Sequence, residues 1–270
     1  MEHQFYKENG YAVFKGLLNK EVIDSIKSKI LTLLKRFFEQ NKDLNNVPCN
    51  DLYTGLECLF KHDQKLYGDF IKMTGVISRI PEVIQLQFHS QIIAALNTIG
   101  IADFMVPTGP AVHIVSPNMR IDGGYFGVEA HQDWTSMHGS LDSVIIWIPF
   151  TNVNSETNPL EIVPKSHLEG VIECQEALNC NIVDKYSDKD FMPVIVEKGD
   201  VCFLSSFTVH RTGLHGTPNT LRIAISYRVD NIHDNYYIRK MYPTAYRRIV
   251  ERSLAPNDIP PITEIRRVFS

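Results

Sequence analysis

The chain has 270 residues, of which 44% are hydrophobic, enough to bury a substantial core near the upper size of a single domain. Its 27 basic and 31 acidic residues give a formal net charge of -4, and the lack of a basic excess argues against nucleic acid as the main partner. The five cysteines, at 49, 58, 174, 180 and 202, are odd in number and form no Cys-x-x-Cys pair, so they read as reduced thiols rather than a disulfide framework or a zinc knuckle. No apolar run approaches a membrane span and no leader pattern opens the chain; the expectation is a soluble, cytoplasmic protein with no membrane partner.

Residues 5–15 are expected to form a strand around Tyr11, Val13 and Phe14. Asn19 then caps a helix with Glu21 in its first turn, and Val22, Ile23, Ile26, Ile30, Leu34 and Phe37 recur at helical spacing on a core-facing side. Residues 41–80 are mixed and polar, with Asn45, Asn46 and Pro48 marking a loop and helix expected within 51–73. Pro81 sits in the first turn of the next helix and Gly100 just past its end, with Val83, Ile84, Phe88, Ile92 and Leu96 inside; His89 on it reads as structural. From Phe104 the texture changes to short β-branched runs, over 112–115, 143–150, 193–196, 201–205 and 221–229, separated by Pro, Gly and Asn. Closely spaced short strands with turn signals point to a sandwich or jelly roll. The organisation is one domain over 1–270: helix-rich over 1–103, a β core over 104–230 and a C-terminal extension over 231–270. That extension, polar, aromatic and Pro-marked with a short helix over 244–254, either packs over the core or builds a subunit contact, so a homo-oligomer stays open. No internal repeat or Gly/Ser-rich linker marks a second domain.

Within the β region, the stretch Glu129-Ala130-His131-Gln132-Asp133-Trp134 sets an imidazole and a carboxylate one residue apart, on the same face if the stretch is extended. A mononuclear non-haem Fe(II) oxygenase site needs two imidazoles and one carboxylate on one face of an octahedron, leaving the opposite face for oxygen and an organic cosubstrate. A His-x-Asp triplet alone carries little. Further on, residues 198–210 read as a turn at Gly199-Asp200, a buried strand and then His210, with Arg222 in a later strand, giving the order His, Asp, distal His, Arg. His215, in a loop containing Gly and Pro, is the second candidate for the distal ligand. A guanidinium is the natural partner for a carboxylate because its planar fork donates two parallel charge-assisted bonds. Arg228, six residues after Arg222 and so on the same strand face, is the rival for that role.

This order and the text around it resemble the phytanoyl-CoA dioxygenase family of Fe(II)/2-oxoglutarate-dependent oxygenases. The resemblance runs through residues 5–15, 130–133, 144–150, 160–167 and 199–222. It implies a mainly β fold with flanking helices, a double-stranded β-helix core of jelly-roll, cupin-like type with an N-terminal helical brace. It implies that His131, Asp133 and His210, the last placed where His210 ends the strand launched at Gly199-Asp200, hold Fe(II). By the same resemblance Arg222 binds the distal carboxylate of 2-oxoglutarate, the Thr212 hydroxyl helps, and Trp147 either walls the cosubstrate pocket or is plain core. His113 stands where family members place a polar cosubstrate contact, commonly an amide or a lysine, so the imidazole is a departure. Residues 164–167 resemble a Pro-Gly-Ser-His turn with Lys165 in place of Gly, which strains the turn if it requires a positive φ. His167 at that turn, and His138, Arg120 and Tyr125 flanking the metal motif, are candidate substrate contacts, with loop-stabilising or solvated roles as the alternative.

The chemistry implied is decarboxylation of 2-oxoglutarate to succinate, with oxygen, coupled to hydroxylation of an unactivated C–H bond of a small metabolite. Halogenating relatives lose the carboxylate ligand to make room for chloride, and this chain keeps Asp133. The absence of a basic patch speaks against a CoA ester, and the polar and aromatic residues near the motif favour a polar or carbohydrate-like substrate. Desaturation or ring closure stays open. The competing readings are a cupin-type metal-binding protein or dioxygenase that does not use 2-oxoglutarate, which has no need of Arg222, and a catalytically dead interaction protein on the same fold.

Overall fold

The computed structural model describes residues 2–45, 47–72, 74–120, 127–172, 182, 185–213 and 215–242. The chain opens with α1 (Glu2–Asn9) and β1 (Tyr11–Phe14), so the first part of the strand expected over 5–15 is helix. Gly10 separates the two: at φ +77 its N–H donates to the Tyr6 carbonyl at 2.8 Å, closing the helix in a left-handed conformation that favours glycine. Helix α2 (Lys20–Glu39) begins as expected, with the Asn19 side-chain oxygen accepting from the Glu21 N–H at 3.1 Å. It buries Ile23, Ile26, Ile30, Leu34 and Phe38, the stripe continuing through Phe38, four residues after Leu34, rather than Phe37. Then come α3 (Leu52–His62), capped by Asp51, α4 (Gln64–Lys72) and α5 (Thr74–Ile77).

The single helix expected between Pro81 and Gly100 is two, α6 (Pro81–Leu86) and α7 (Ser90–Thr98). His89 is extended, with φ -61 and ψ 135, and its Nδ1 accepts from the Gln91 N–H, so it caps the second helix. The break resets the helical phase, leaving Ile84 and Phe88 exposed while Val83, Ile92 and Leu96 are buried. The strands β2 (Phe104–Met105) and β3 (Ala111–Val115), the short helix α8 (Trp134–Met137), and β4 (Val144–Pro149), β5 (Leu160–Ile162) and β6 (Met192–Pro193) follow. The chain continues through β7 (Val201–Ser205), β8 (His210–Thr212), β9 (Arg222–Asn231) and α9 (Asn235–Arg239). The helix expected over 244–254 lies outside the described residues.

The strands form two antiparallel sheets, the double-sheet, cupin-like jelly-roll arrangement. In the larger, β1, β7, β4 and β9 lie side by side, and the far edge of β9 pairs with β3 and β2. The smaller runs β6, β5, β8. Every residue of β4 and β7 is buried because both faces of the larger sheet are covered. Alternate residues Ile146, Ile148, Phe203, Ile223, Ile225 and Tyr227 join one core with Ile23, Ile30 and Leu34 of α2 and Leu56 of α3. Their neighbours Ile145, Trp147, Cys202, Leu204 and Ala224 turn the other way and pack with Leu160 and Ile162 of the smaller sheet. Between the two sheets lies the site.

Candidate metal and cosubstrate site

His210 does not end the strand launched at Gly199-Asp200, as the sequence suggested. That strand, β7, stops at Ser205; the Thr208 N–H donates to the Ser205 carbonyl, and the chain turns across to start β8 in the other sheet at His210. The turn is held from outside, by the Ser206 N–H on the Ser143 carbonyl at 3.0 Å and the Thr208 hydroxyl on the Gly10 carbonyl at 2.7 Å. His131 then pairs with His210 as antiparallel partners, each N–H donating to the other's carbonyl at 3.1 Å. Next to this bridge the Thr212 N–H donates to the Val128 carbonyl. Gly127, at φ +96, makes the approach: a Cβ there would meet the Thr212 side chain at 2.6 Å. Backbone pairing alone therefore brings the two imidazoles together, their ring centroids 4.2 Å apart.

Asp133 reaches the same point by a different route from the extended one expected. It is helical, at φ -64 and ψ -32, and directly precedes α8. Gln132 between the two ligands explains the bend. Its buried amide donates to the carbonyls of Gly170 and Phe207 and accepts from the Ile172 N–H, fastening the loop to three places in the surrounding structure. One ligand atom each from His131, Asp133 and His210 lies within 4.8 Å of the others, the group among the described residues with the make-up of a metal site.

The protonation pattern suits a cation. Nδ1 of His131 lies 2.7 Å from the Glu129 carbonyl and Nδ1 of His210 lies 2.9 Å from the Thr208 carbonyl. A carbonyl only accepts, so both Nδ1 atoms carry the hydrogen and each neutral ring keeps its lone pair on Nε2. Those Nε2 atoms lie 3.1 and 3.8 Å from the same Asp133 oxygen, Oδ1. Burial pushes His210 down to about 4, so it is neutral at physiological pH. Burial alone would raise the Asp133 carboxyl, but the Arg228 guanidinium beside it outweighs that and holds it well below the usual carboxylate range. Three electron pairs converge, and a divalent ion is what balances them.

His131 and His210 line a cavity between the sheets, shared with His113, Trp147, Thr212, Arg222 and Arg228. All four residues expected to contact the cosubstrate are thus in one chamber. Arg222 is 2% exposed, with one terminal nitrogen 3.4 Å from the Thr212 hydroxyl. Trp147 is at once core and wall, packing in the apolar cluster between the sheets while lining the cavity. His113 lies 2.9 Å from the Ser226 hydroxyl, and burial, followed by the charges of Arg222 and Arg228, pushes it down to about 3. Arg228, the rival for the carboxylate role, is instead on Asp133: its Nε donates to Oδ2 at 2.8 Å. That contact, the Ser226 support behind it and the anchoring by Gln132 were not anticipated. The period of two along β9 puts 222, 226 and 228 on one face, but no sequence signal marks Gln132.

The candidate substrate contacts are dispersed. His167 donates from Nε2 to the Lys7 carbonyl at 2.9 Å, tying its turn to α1. Lys165 in that turn does adopt a positive φ, +69, within the left-handed region. His138, at φ +54, stacks on Trp134, and Arg120 is exposed; none of the three lines the cavity. Tyr125 lies outside the described residues. His215, the second candidate for the distal ligand, is exposed and not part of the cluster.

The family model for phytanoyl-CoA dioxygenase (PhyH) matches residues 6–224, most of the chain. The chain belongs to the phytanoyl-CoA dioxygenase family. Among solved structures it is similar to the non-heme monooxygenase ThoJ, with a TM-score of 0.60 at 12% identity over 86% of this chain and 77% of that one. It is similar also to SnoK, a non-heme alpha-ketoglutarate-dependent carbocyclase from nogalamycin biosynthesis, with a TM-score of 0.56 at 18% identity over 88% and 89% of the two chains. A third is the epimerase SnoN in complex with Fe3+, alpha-ketoglutarate and nogalamycin RO, with a TM-score of 0.54 at 15% identity over 85% and 82%. At these identities the likenesses show the fold alone. No curated protein matches the chain in sequence. Among the described residues no helix is long and apolar enough to cross a membrane.

Proposed function

We propose that this member of the phytanoyl-CoA dioxygenase family is an Fe(II)/2-oxoglutarate-dependent oxygenase that hydroxylates a C–H bond of a small metabolite. The observation that carries the reading is the cluster of two imidazoles and a carboxylate whose imidazoles line one chamber together with a buried guanidinium beside a hydroxyl. His131, Asp133 and His210 hold the iron. Arg222 and Thr212 take the distal carboxylate of the cosubstrate through charge-assisted bonds, which are strongest where water is excluded. Ile145, Trp147, Leu160 and Leu204 form the apolar walls that exclude it. The loaded iron supplies the oxidative chemistry, turning oxygen and 2-oxoglutarate into succinate and carbon dioxide as one substrate C–H bond is oxidised.

The chain's own task is orientation. The Nδ1–H bonds to the Glu129 and Thr208 carbonyls fix both ring planes, and Gln132 fixes the loop between two ligands, so His131 and His210, which line the chamber, would meet a bound ion with their rings already set. Retention of Asp133 as a third protein ligand supports hydroxylation over halogenation. SnoN and SnoK carry out epimerisation and carbocyclisation on the same fold, so the fate of the oxidised carbon depends on how a substrate is held. A small polar or carbohydrate-like substrate fits a chain whose composition carries no basic excess. Anaerobic addition of Fe(II) and then 2-oxoglutarate to the protein should produce the visible charge-transfer band of bidentate chelation, and His131→Ala should abolish it. Iron binding without a band would turn the reading toward a cupin-type protein that does not use 2-oxoglutarate.

A further inference from the structure

We infer that Arg228 is a positioning residue that confines Asp133 to one-oxygen ligation of the metal and thereby keeps coordination positions open for a chelating cosubstrate. This rests on the oxygenase reading above. The two carboxylate oxygens of Asp133 are assigned to different tasks. Oδ1 faces both imidazole Nε2 atoms, at 3.1 and 3.8 Å. Oδ2 accepts from Arg228 Nε at 2.8 Å. A carboxylate free to turn can offer both oxygens to a metal; here that turn would break a charge-assisted bond in a buried place.

Arg228 is itself held. A terminal nitrogen donates to the Ser226 hydroxyl at 3.0 Å and lies 3.4 Å from the Ser226 carbonyl, and the same hydroxyl lies 2.9 Å from His113 Nε2. Ile145 stands opposite Arg228 in the pairing of β4 with β9 and lines the cavity on its apolar side. A chain of contacts from His113 through Ser226 and Arg228 to Asp133 thus runs along one wall of the chamber.

Coordination and charge point the same way. In an octahedron two imidazoles and one carboxylate oxygen leave three positions, two for a chelate and one for oxygen; a second carboxylate oxygen would take one of them. The Arg228 charge also offsets that of Asp133, which favours entry of a dianion such as 2-oxoglutarate but opposes binding of a bare cation. Removing Arg228 should therefore move metal and cosubstrate affinity in opposite directions. A residue that merely scaffolds Asp133 would lower both together.

The test uses the full chain as Arg228→Gln and Arg228→Lys, with folding checked by circular dichroism. Co(II) is titrated alone, followed by its d–d absorption, and 2-oxoglutarate is then titrated anaerobically against the Fe(II)-loaded protein. In Arg228→Gln, Co(II) should bind at least as tightly as in the wild type with an altered d–d spectrum, while 2-oxoglutarate affinity falls on the order of 10–100-fold. Arg228→Lys, with the charge but not the fork, should fall between them, and Ser226→Ala should shift the same readouts less. The inference is overturned if both affinities fall together, if neither moves, or if Arg228→Lys equals the wild type, since charge alone would then suffice. If the wild-type protein forms no charge-transfer band, the oxygenase reading fails on its own; a cobalt spectrum identical in wild type and Arg228→Gln then overturns the clamp as well.

Discussion

The larger sheet has two faces built from the same strands, and they differ in chemistry throughout. Toward α2 and α3 it presents Ile146, Ile148, Phe203, Ile223, Ile225 and Tyr227, with one polar tether, the Tyr227 hydroxyl on the Val83 carbonyl at 2.7 Å. Toward the smaller sheet it presents Ile145, Trp147 and Ala224 interleaved with His113, Arg222, Ser226 and Arg228. Burying cations and imidazoles is unfavourable unless each is partnered, so the second face cannot be the source of stability. The apolar face offsets it. Because side chains alternate along a strand, adjacent positions belong to opposite faces, and stability and cosubstrate binding can be altered separately one residue apart.

The largest effect should come from the apolar face. Phe203→Ala removes a fully buried ring and should cost about 3–5 kcal/mol of stability in urea unfolding, while the folded protein keeps its Co(II) affinity. Arg222→Ala, beside Ile223 but on the other face, should weaken 2-oxoglutarate binding by about 2–5 kcal/mol in the same anaerobic titration and leave the iron bound. Unchanged cosubstrate affinity there would remove the reason for assigning this chain a 2-oxoglutarate chemistry.

Acidification probes the space between the two sheets without mutation. His210 is held down to about 4 and His113 to about 3, against an ordinary value of 6.5, so between these limits the unfolded chain binds protons that the folded one does not. Stability of the metal-free protein is accordingly full above about pH 6.5 and falls as the pH drops toward 4, by roughly 3 kcal/mol from His210 alone. Urea midpoints across that range check the sign; a flat profile would mean the imidazoles are solvated. The smallest change, Tyr227→Phe, should lose about 1 kcal/mol of stability with no movement in either binding titration.

Much of this site was legible in the sequence because its signals are local. The His-x-Asp triplet, a histidine after an apolar run and an arginine on an alternating strand each identify a side chain and a face, and His131, Asp133, His210, Arg222, Thr212, Trp147 and His113 do meet. What stayed hidden was pairing at a distance. Periodicity says that a residue follows a strand but not which sheet receives it, so the crossing between Ser205 and His210 was missed. The helical turn at Asp133 depends on what Gln132 bonds, including a carbonyl 75 residues away. The break at His89 was hidden for a nearer reason: no Gly or Pro marks it, and the imidazole supplies the cap instead. Arg228 read as a rival to Arg222 because shared strand face was all the spacing could express; its partner, Asp133, is 95 residues distant.

The crossing between the sheets has a further consequence, for what a bound ion does to the whole molecule. The His131–His210 bridge joins the loop before α8 to the smaller sheet just where the chain arrives from the larger one, and the three side chains able to hold an ion sit at that join. An ion taken up there binds the folded arrangement and not the unfolded chain, so it adds to stability by mass action. An ion at His131, Asp133 and His210 is therefore a latch on the join between the sheets.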